Sequence, residues 1–143
     1  MMSYYVKDYM DKEFSTLDVG SSVVEAAKVL DDSKKGYVIV LEKGKPRGIV
    51  TEWDIVSKVI AAEKDPKKIV LKEIMSMPLY TVDPDEDLIK ASELMAKKGV
   101  KRLPVVKGEV IYGVITSTNI AQRCGEYVNK SVKDVLRWSF PVG

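Results

Sequence analysis

The 143-residue chain contains no histidine and one cysteine, Cys124. The first absence removes the commonest general base and the commonest metal ligand together. A lone cysteine excludes an intrachain disulfide, and without histidine no standard zinc site can be built. Long hydrophobic runs are also missing. The longest clearly apolar stretch, Tyr37 to Leu41, is far short of a membrane span, and no signal-like segment opens the chain, so a cytoplasmic, unanchored protein is expected. Charge of one sign is lacking as well, the formal net charge being +2. Nucleic-acid binders carry a concentrated basic face. The one candidate run here, Lys64-Asp65-Pro66-Lys67-Lys68, is broken by acid and proline and reads as a solvated linker. No stretch matches the Gly-rich P-loop, the dinucleotide fingerprint or the serine nucleophile elbow. The expectation is a non-catalytic protein without a metal site, and nucleic acid is not expected as its partner.

What the chain does contain is a duplication. Shifted by 65 positions, residues 6–56 align with 71–121 without a gap, and Lys7, Met10, Thr16, Asp18, Ala26, Val40, Gly48, Thr51 and Ile55 meet identical residues. Nine identities are weak alone, but the apolar pattern agrees: Gly48-Ile49-Val50-Thr51 lies opposite Gly113-Val114-Ile115-Thr116. A unit of this length is too long for a solenoid repeat and suits two halves packed about a pseudo-two-fold axis, with a ligand groove between them.

Each repeat reads as strand, helix, strand, strand, helix, an α/β pattern. In the first, Phe14–Leu17 is a short strand, and Ser22–Lys34 is a helix. Ser22 and Glu25 stand at capping-box spacing, and Val23, Ala26, Ala27 and Leu30 share a face. Tyr37–Leu41 and Arg47–Val50 form a hairpin, and Thr51 opens a helix to about Ala62. In the second, Asp83-Pro84-Asp85-Glu86 is the expected helix start, Leu88, Ala91, Leu94 and Met95 the buried stripe, and Gly99 the stop. A hairpin over Val100–Val106 and Val110–Ile115 follows, then a helix from Thr116 that Gly125 is expected to end. The expected boundaries are 6–62 and 71–124 for the repeats, 63–70 for a linker, and 125–143 for a tail. In that tail, Ser131–Leu136 echoes Val6–Met10 and suggests a short helix.

Thr51-Glu52-Trp53-Asp54 and Thr116-Ser117-Thr118-Asn119 each follow a strand and open a helix. Two readings share this geometry. In one, Thr51 caps the helix and Asp54 reaches back to it. In the other, free N–H groups and partial positive charge at the helix start attract phosphate, while the carboxylate takes both hydroxyls of a ribose. Recurrence in both halves favours the second.

The element order, the Gly-hydrophobic-hydrophobic-Thr-x-x-Asp ending and the stretch Gly99-Val100-Lys101-Arg102-Leu103-Pro104-Val105-Val106 resemble the cystathionine β-synthase (CBS) domain. Two in tandem form a CBS pair, or Bateman module, and the resemblance covers residues 6–121. Such pairs sit inside larger proteins or stand alone, especially in archaea. The resemblance implies an adenosine derivative (AMP, ADP, ATP or S-adenosylmethionine) between the repeats and a disc-shaped homodimer. It makes Asp54 the ribose carboxylate, with Thr51 beside it, and Thr16 the residue at the adenine edge. Tyr37 and Val38 would line the base, while Lys101, Arg102 and Thr116 would hold phosphate. In the other cleft, with Thr81, Leu103 and Asn119, an amide replaces the carboxylate. Gly36 and Tyr37 there stand where Lys101 and Arg102 stand in the first, so that cleft is expected to be weak or empty. S-adenosylmethionine is disfavoured, since a cation gains nothing from Lys101 and Arg102. The resulting expectation is an adenine-nucleotide sensor that signals to a partner protein, or else a ligand-free dimerisation and docking module.

Overall fold

The computed structural model describes residues 4–127, and the short helix expected at 131–136 lies outside the described residues. The first repeat forms β1 (Thr16–Asp18), α1 (Val23–Ser33), β2 (Tyr37–Glu42), β3 (Lys45–Thr51) and α2 (Glu52–Ile55), which continues as a π-helical turn over Val56–Ile60. The second forms α3 (Leu88–Lys98), β4 (Arg102–Lys107), β5 (Val110–Thr116) and α4 (Ser117–Tyr127). In α1 the Ser22 hydroxyl accepts from the Glu25 N–H, and Val23, Ala26 and Leu30 are buried, while Ala27 is exposed instead of joining them. Gly99 ends α3 in the left-handed conformation that glycine adopts without a Cβ clash. Both hairpins turn through two positive-φ residues, Lys43-Gly44 and Gly108-Glu109.

Several element ends differ from the sequence reading, β1 among them at Thr16–Asp18 instead of Phe14–Leu17, and three of the differences have a clear physical reason. The cap of α3 is Asp87, not Asp83, and Asp83-Pro84-Asp85-Glu86 makes a turn of its own, in which the Asp83 carboxylate accepts from the Asp85 N–H. Asp87 is the 65-residue counterpart of Ser22. Helix α4 runs through Gly125 to Tyr127, because an interior glycine costs a helix only about 1 kcal/mol and does not break it. The first strand of the second repeat shrinks to a single parallel bridge, Val82 to Val105. In the first repeat, β1 pairs with β2, supported by Ile39 N–H to Ser15 O and Val19 N–H to Leu41 O. The counterparts of Ile39 and Val19 are Pro104 and Pro84, which have no N–H to donate. One sheet therefore has three strands and the other two.

The halves exchange their opening segments. Val6 is buried with Val82, Leu88, Ala91 and Leu103 of the second repeat, while Leu71, Ile74 and Met75 are buried with Val23, Val40 and Val50 of the first. Backbone bonds fix the exchange. Asp11 and Val114 bond reciprocally at 2.9 Å, and Ser76 bonds Ile49 at 2.9 Å as donor and 3.3 Å as acceptor. The expected linker is part of the same seam, since Ile69 O accepts from Val23 N–H and Val70 bridges Ser22. Glycine is required where these segments cross. A Cβ at Gly113 would lie 2.5 Å from Asp11 O, and one at Gly48 would lie 2.9 Å from Ser76 O. Tyr37, Ile39 and Val114 make the apolar contact between the two sheets.

Candidate functional site

Two clefts related by the internal symmetry open between the halves. The first, about 490 Å³, is lined by Thr51, Glu52, Trp53 and Asp54 at the start of α2, by Ser76, and by Gly36 and Gly99–Arg102. Thr51 follows the buried β3 residue Val50, so the strand's end delivers the cap directly to the cleft. Asp54 is 6% exposed. Its Oδ2 accepts from the Thr51 N–H (2.9 Å) and hydroxyl (3.1 Å), and its own N–H donates to Thr51 Oγ1 (3.2 Å). Its Oδ1 takes Lys58 Nζ at 3.0 Å and the Ser76 hydroxyl at 3.4 Å. The capping box and the carboxylate site are thus one structure. Oδ1 is the half a diol would use, since a partly exposed lysine and one long hydroxyl contact are the bonds most readily replaced. Across the cleft, a Cβ at Gly36 would lie 3.3 Å from Arg102 Nη2 and 3.7 Å from Glu52 Oε1, which places both side chains at this glycine.

The second cleft, about 330 Å³, is lined by Thr116, Ser117, Thr118 and Asn119 at the start of α4, by Asp11, Lys34, Lys35 and Tyr37, and by Lys101 and Arg102. Asn119 repeats the cap, its Oδ1 accepting from Thr116 N–H at 3.0 Å while its N–H donates to Thr116 Oγ1 at 3.0 Å. The amide NH₂ then donates to Asp11 Oδ1 at 3.2 Å. Arg102 lies over the Tyr37 ring, 5.2 Å from its centroid. The Tyr37 hydroxyl is buried without a hydrogen-bond partner among the described residues. Burial pushes its phenol up to about 12, Asp11 adds to the shift and Arg102 opposes it.

The sequence-selected residues therefore divide. Thr51, Asp54, Lys101 and Arg102 come together in the first cleft. Tyr37 and Thr116 line the second cleft, with Asn119, instead of the first. Val38 and Leu103 are wholly buried in the core, and Thr16 is exposed on β1. Thr81 lines neither cleft but a separate groove of about 740 Å³ beside the hairpin turns, with Lys72, Arg47 and Glu42. The expectation that Gly36 and Tyr37 leave the second cleft without cations is not met, because Lys34 and Lys35 line it and Lys101 and Arg102 line both clefts. Sequence reasoning missed Asp11, Ser76, Glu52, Lys58 and these two lysines. The 65-residue offset relates Asp11 to Ser76, but nothing local shows that each faces the other repeat's helix. Glu52 also removes the ground for disfavouring a cationic ligand, since the first cleft holds an acid beside Lys101 and Arg102. Among the described residues no cluster of three or more metal-ligating side chains occurs, and no helix is long and apolar enough to cross a membrane.

A family model for the CBS domain matches residues 6–61 and 71–126. The CBS domain-containing protein YhcV of Bacillus subtilis is 31% identical over 116 residues, covering 81% of this chain and 82% of that protein. Protein MK0525 of Methanopyrus kandleri is 37% identical over 125 residues, 85% of this chain. The chain spans 63% of that protein's length and 24% of a homoserine O-acetyltransferase of Methanohalobium evestigatum, to which it is also 37% identical. Among solved structures, the CBS domain pair of protein MJ0100, in complex with 5′-methylthioadenosine and S-adenosyl-L-methionine, superposes with a TM-score of 0.80. It is 29% identical and covers 89% of this chain and 100% of that one. A hexameric CBS-CP12 protein from bloom-forming cyanobacteria gives the same TM-score and identity over 93% of this chain and 81% of its own.

Proposed function

Because the chain belongs to the CBS domain family, we propose that it is a non-catalytic regulatory module that binds an adenine nucleotide in the first cleft. The observation that carries this reading is the buried Asp54 carboxylate at a helix start, facing Lys101 and Arg102 across a cleft of about 490 Å³. Apolar walls with a few convergent polar groups, at this size, are what small-molecule sites share. The ribose hydroxyls replace Lys58 and Ser76 on Asp54 Oδ1, the base packs against Ile49 and Val100, and the phosphates reach Lys101 and Arg102. The MJ0100 pair, bound to adenosine compounds, supports the ligand class. Glu52 makes neutral or sulfonium adenosine thioethers the competing ligands.

Signalling requires that the ligand bind two arrangements of the module with different affinity. The exposed stripe Trp53, Val56 and Ile60 on α2 and its π-helical extension supplies an apolar face for a homodimer, through which a partner protein senses the bound state. A second reading, dimerisation or docking without ligand, draws on the same stripe and on the fact that both Asp54 oxygens already have partners. Calorimetric titration with AMP, ATP, adenosine and 5′-methylthioadenosine separates the two. Binding that Lys101→Ala/Arg102→Ala weakens for AMP and ATP but not for adenosine supports the nucleotide reading. No binding by any of the four leaves the docking module. No turnover of ATP is expected.

A further inference from the structure

The groove of about 740 Å³ beside the hairpin turns is larger than either cleft and belongs to neither. Both clefts open at the first residues of β2 and β4, around Tyr37 and Arg102, whereas the groove lies at the far ends of the same strands, at Glu42 and Val106. A six-residue strand spans roughly 17–20 Å, so an occupant of the groove is separate from a ligand of the clefts. The floor of the groove is apolar, with Pro46, Leu79 and Val106 each partly buried. Its rim is cationic, with Lys43, Lys45, Arg47 and Lys72 set against Glu42 and Glu109. An apolar floor inside a polar rim is the anatomy of a protein contact.

The rim is peculiar to the first repeat. At the 65-residue offset Lys43, Lys45 and Arg47 meet Gly108, Val110 and Tyr112, so the duplication does not account for these cations. Lys43 stands at φ 53° and Glu109 at φ 67°, each in a turn whose other central residue is glycine. A side chain with a Cβ is disfavoured there, yet both of these residues line the groove. The cations are also available. Lys43 takes part in none of the ion pairs among the described residues, and Arg47 and Lys72 share the single carboxylate of Glu42 at 3.4 and 3.1 Å. Lys45 reaches Glu109 at 3.4 Å, and its side chain is 64% exposed. Ion pairs this exposed hold weakly and exchange readily for a better-placed anion.

Two acids within the rim oppose a compact polyanion, and an apolar floor gains nothing from one. An extended peptide suits both features, with carboxylates on the cations and an apolar side chain on the floor. The chain's own remaining segment is a poor complement, since residues 128–143 carry Lys130, Lys133 and Arg137 against Asp134. We propose that the groove is a docking site for an acidic peptide segment of a partner protein. Lys43, Lys45, Arg47 and Lys72 take its carboxylates, and Leu79 and Val106 take an apolar anchor residue. The site stands on these residues alone, whether or not the first cleft binds a nucleotide. It is nonetheless tied to that cleft by the chain, because Ser76, which bonds Asp54, lies between Lys72 and Leu79 on one continuous segment.

The test is fluorescence anisotropy on the full chain, with a labelled nonapeptide of repeating Glu-Glu-Leu as probe and its Gln-Gln-Leu counterpart as control. The acidic probe is expected to bind at low ionic strength and to weaken as salt rises, as exposed charge contacts do, while the neutral control does not bind. Lys43→Glu/Arg47→Glu is expected to weaken the probe about 10- to 100-fold, the loss of two charge-assisted contacts. Lys43→Gly installs the residue of the other hairpin, so it is expected to raise the ligand-free melting temperature while lowering probe affinity, which separates docking from folding. A probe that does not bind overturns the proposal, as does one whose affinity follows Lys101→Ala/Arg102→Ala instead of the hairpin variants. Decathymidylate binding as tightly as the peptide also overturns it, since the rim then reads only charge. So does a wild-type light-scattering mass that climbs beyond a dimer and is brought down by Lys43→Glu/Arg47→Glu, because the occupant is then a second copy of this chain.

Discussion

Replacing Asp54 by asparagine separates the two roles that converge on this side chain, and the molecule already displays the structural consequence. At the equivalent place, Asn119 accepts from Thr116 N–H and is capped by Thr116 Oγ1, both at 3.0 Å, so an asparagine at 54 keeps the helix cap. What it loses in the free protein is the ion pair to Lys58, whose side chain is 43% exposed, and the 3.4 Å contact from Ser76. An exposed partner limits that loss to about 0–1 kcal/mol, or a few degrees in melting temperature for a domain of this size. Ligand binding suffers more. The amide oxygen is committed to the cap and the NH₂ that replaces Oδ1 cannot accept a hydroxyl proton, so the charge-assisted bonds to the diol disappear. That costs about 1.5–3 kcal/mol, or roughly 10- to 100-fold in affinity. Calorimetric titration with adenosine and AMP, beside ligand-free thermal melts, measures both effects. If affinity is unchanged while the melting temperature falls, Asp54 serves the stability of the free protein through Lys58 and Ser76 and does not bind the ligand.

Three further outcomes are expected. Tyr37→Phe removes a buried hydroxyl that lacks a partner among the described residues and should cost little stability near neutrality. Because the native phenol titrates near 12 instead of 10.0, the wild type should lose roughly 2–3 kcal/mol as pH rises through that interval, a loss that urea titrations should not find in the variant. Gly113→Ala forces a Cβ to 2.5 Å from Asp11 O and 2.8 Å from Met10 Sδ, and should destabilise by about 1–3 kcal/mol in chemical denaturation. Trp53→Glu places a charge in the exposed apolar stripe and should shift the light-scattering mass from a dimer to the 16.0 kDa monomer; a wild type already at that mass refutes the homodimer.

Much of the fold follows from interactions between near neighbours, and those were legible in the residues. The Ser22 cap, the Gly99 stop and the Thr51–Asp54 box each depend on a few consecutive side chains and are legible in their spacing, whereas the hairpin turns prove tighter, at two residues each, than the polar stretches around them suggest. The duplication went further, because a 65-residue offset that matches Thr51 to Thr116 predicts that whatever one half builds the other builds again. Where the readings failed, two local signals competed. Asp83-Pro84 looked like a helix start, although the offset from Ser22 already pointed to Asp87. The prolines at 84 and 104 were visible, but their effect on a strand depended on knowing that Val19 and Ile39 donate across the parallel ladder. The composition of the clefts lay beyond any such reading. Segments 6–11 and 71–76 cross to the opposite half, where backbone bonds to Val114 and Ile49 and the missing Cβ atoms of Gly113 and Gly48 hold them. Asp11 meets Asn119 across 108 positions, and the first cleft joins Asp54 to Lys101. Caps and turns are encoded by spacing along the chain, but the meeting of Asp11 with Asn119 is defined by which segments pack together, and that is settled by burial and backbone pairing over the whole molecule.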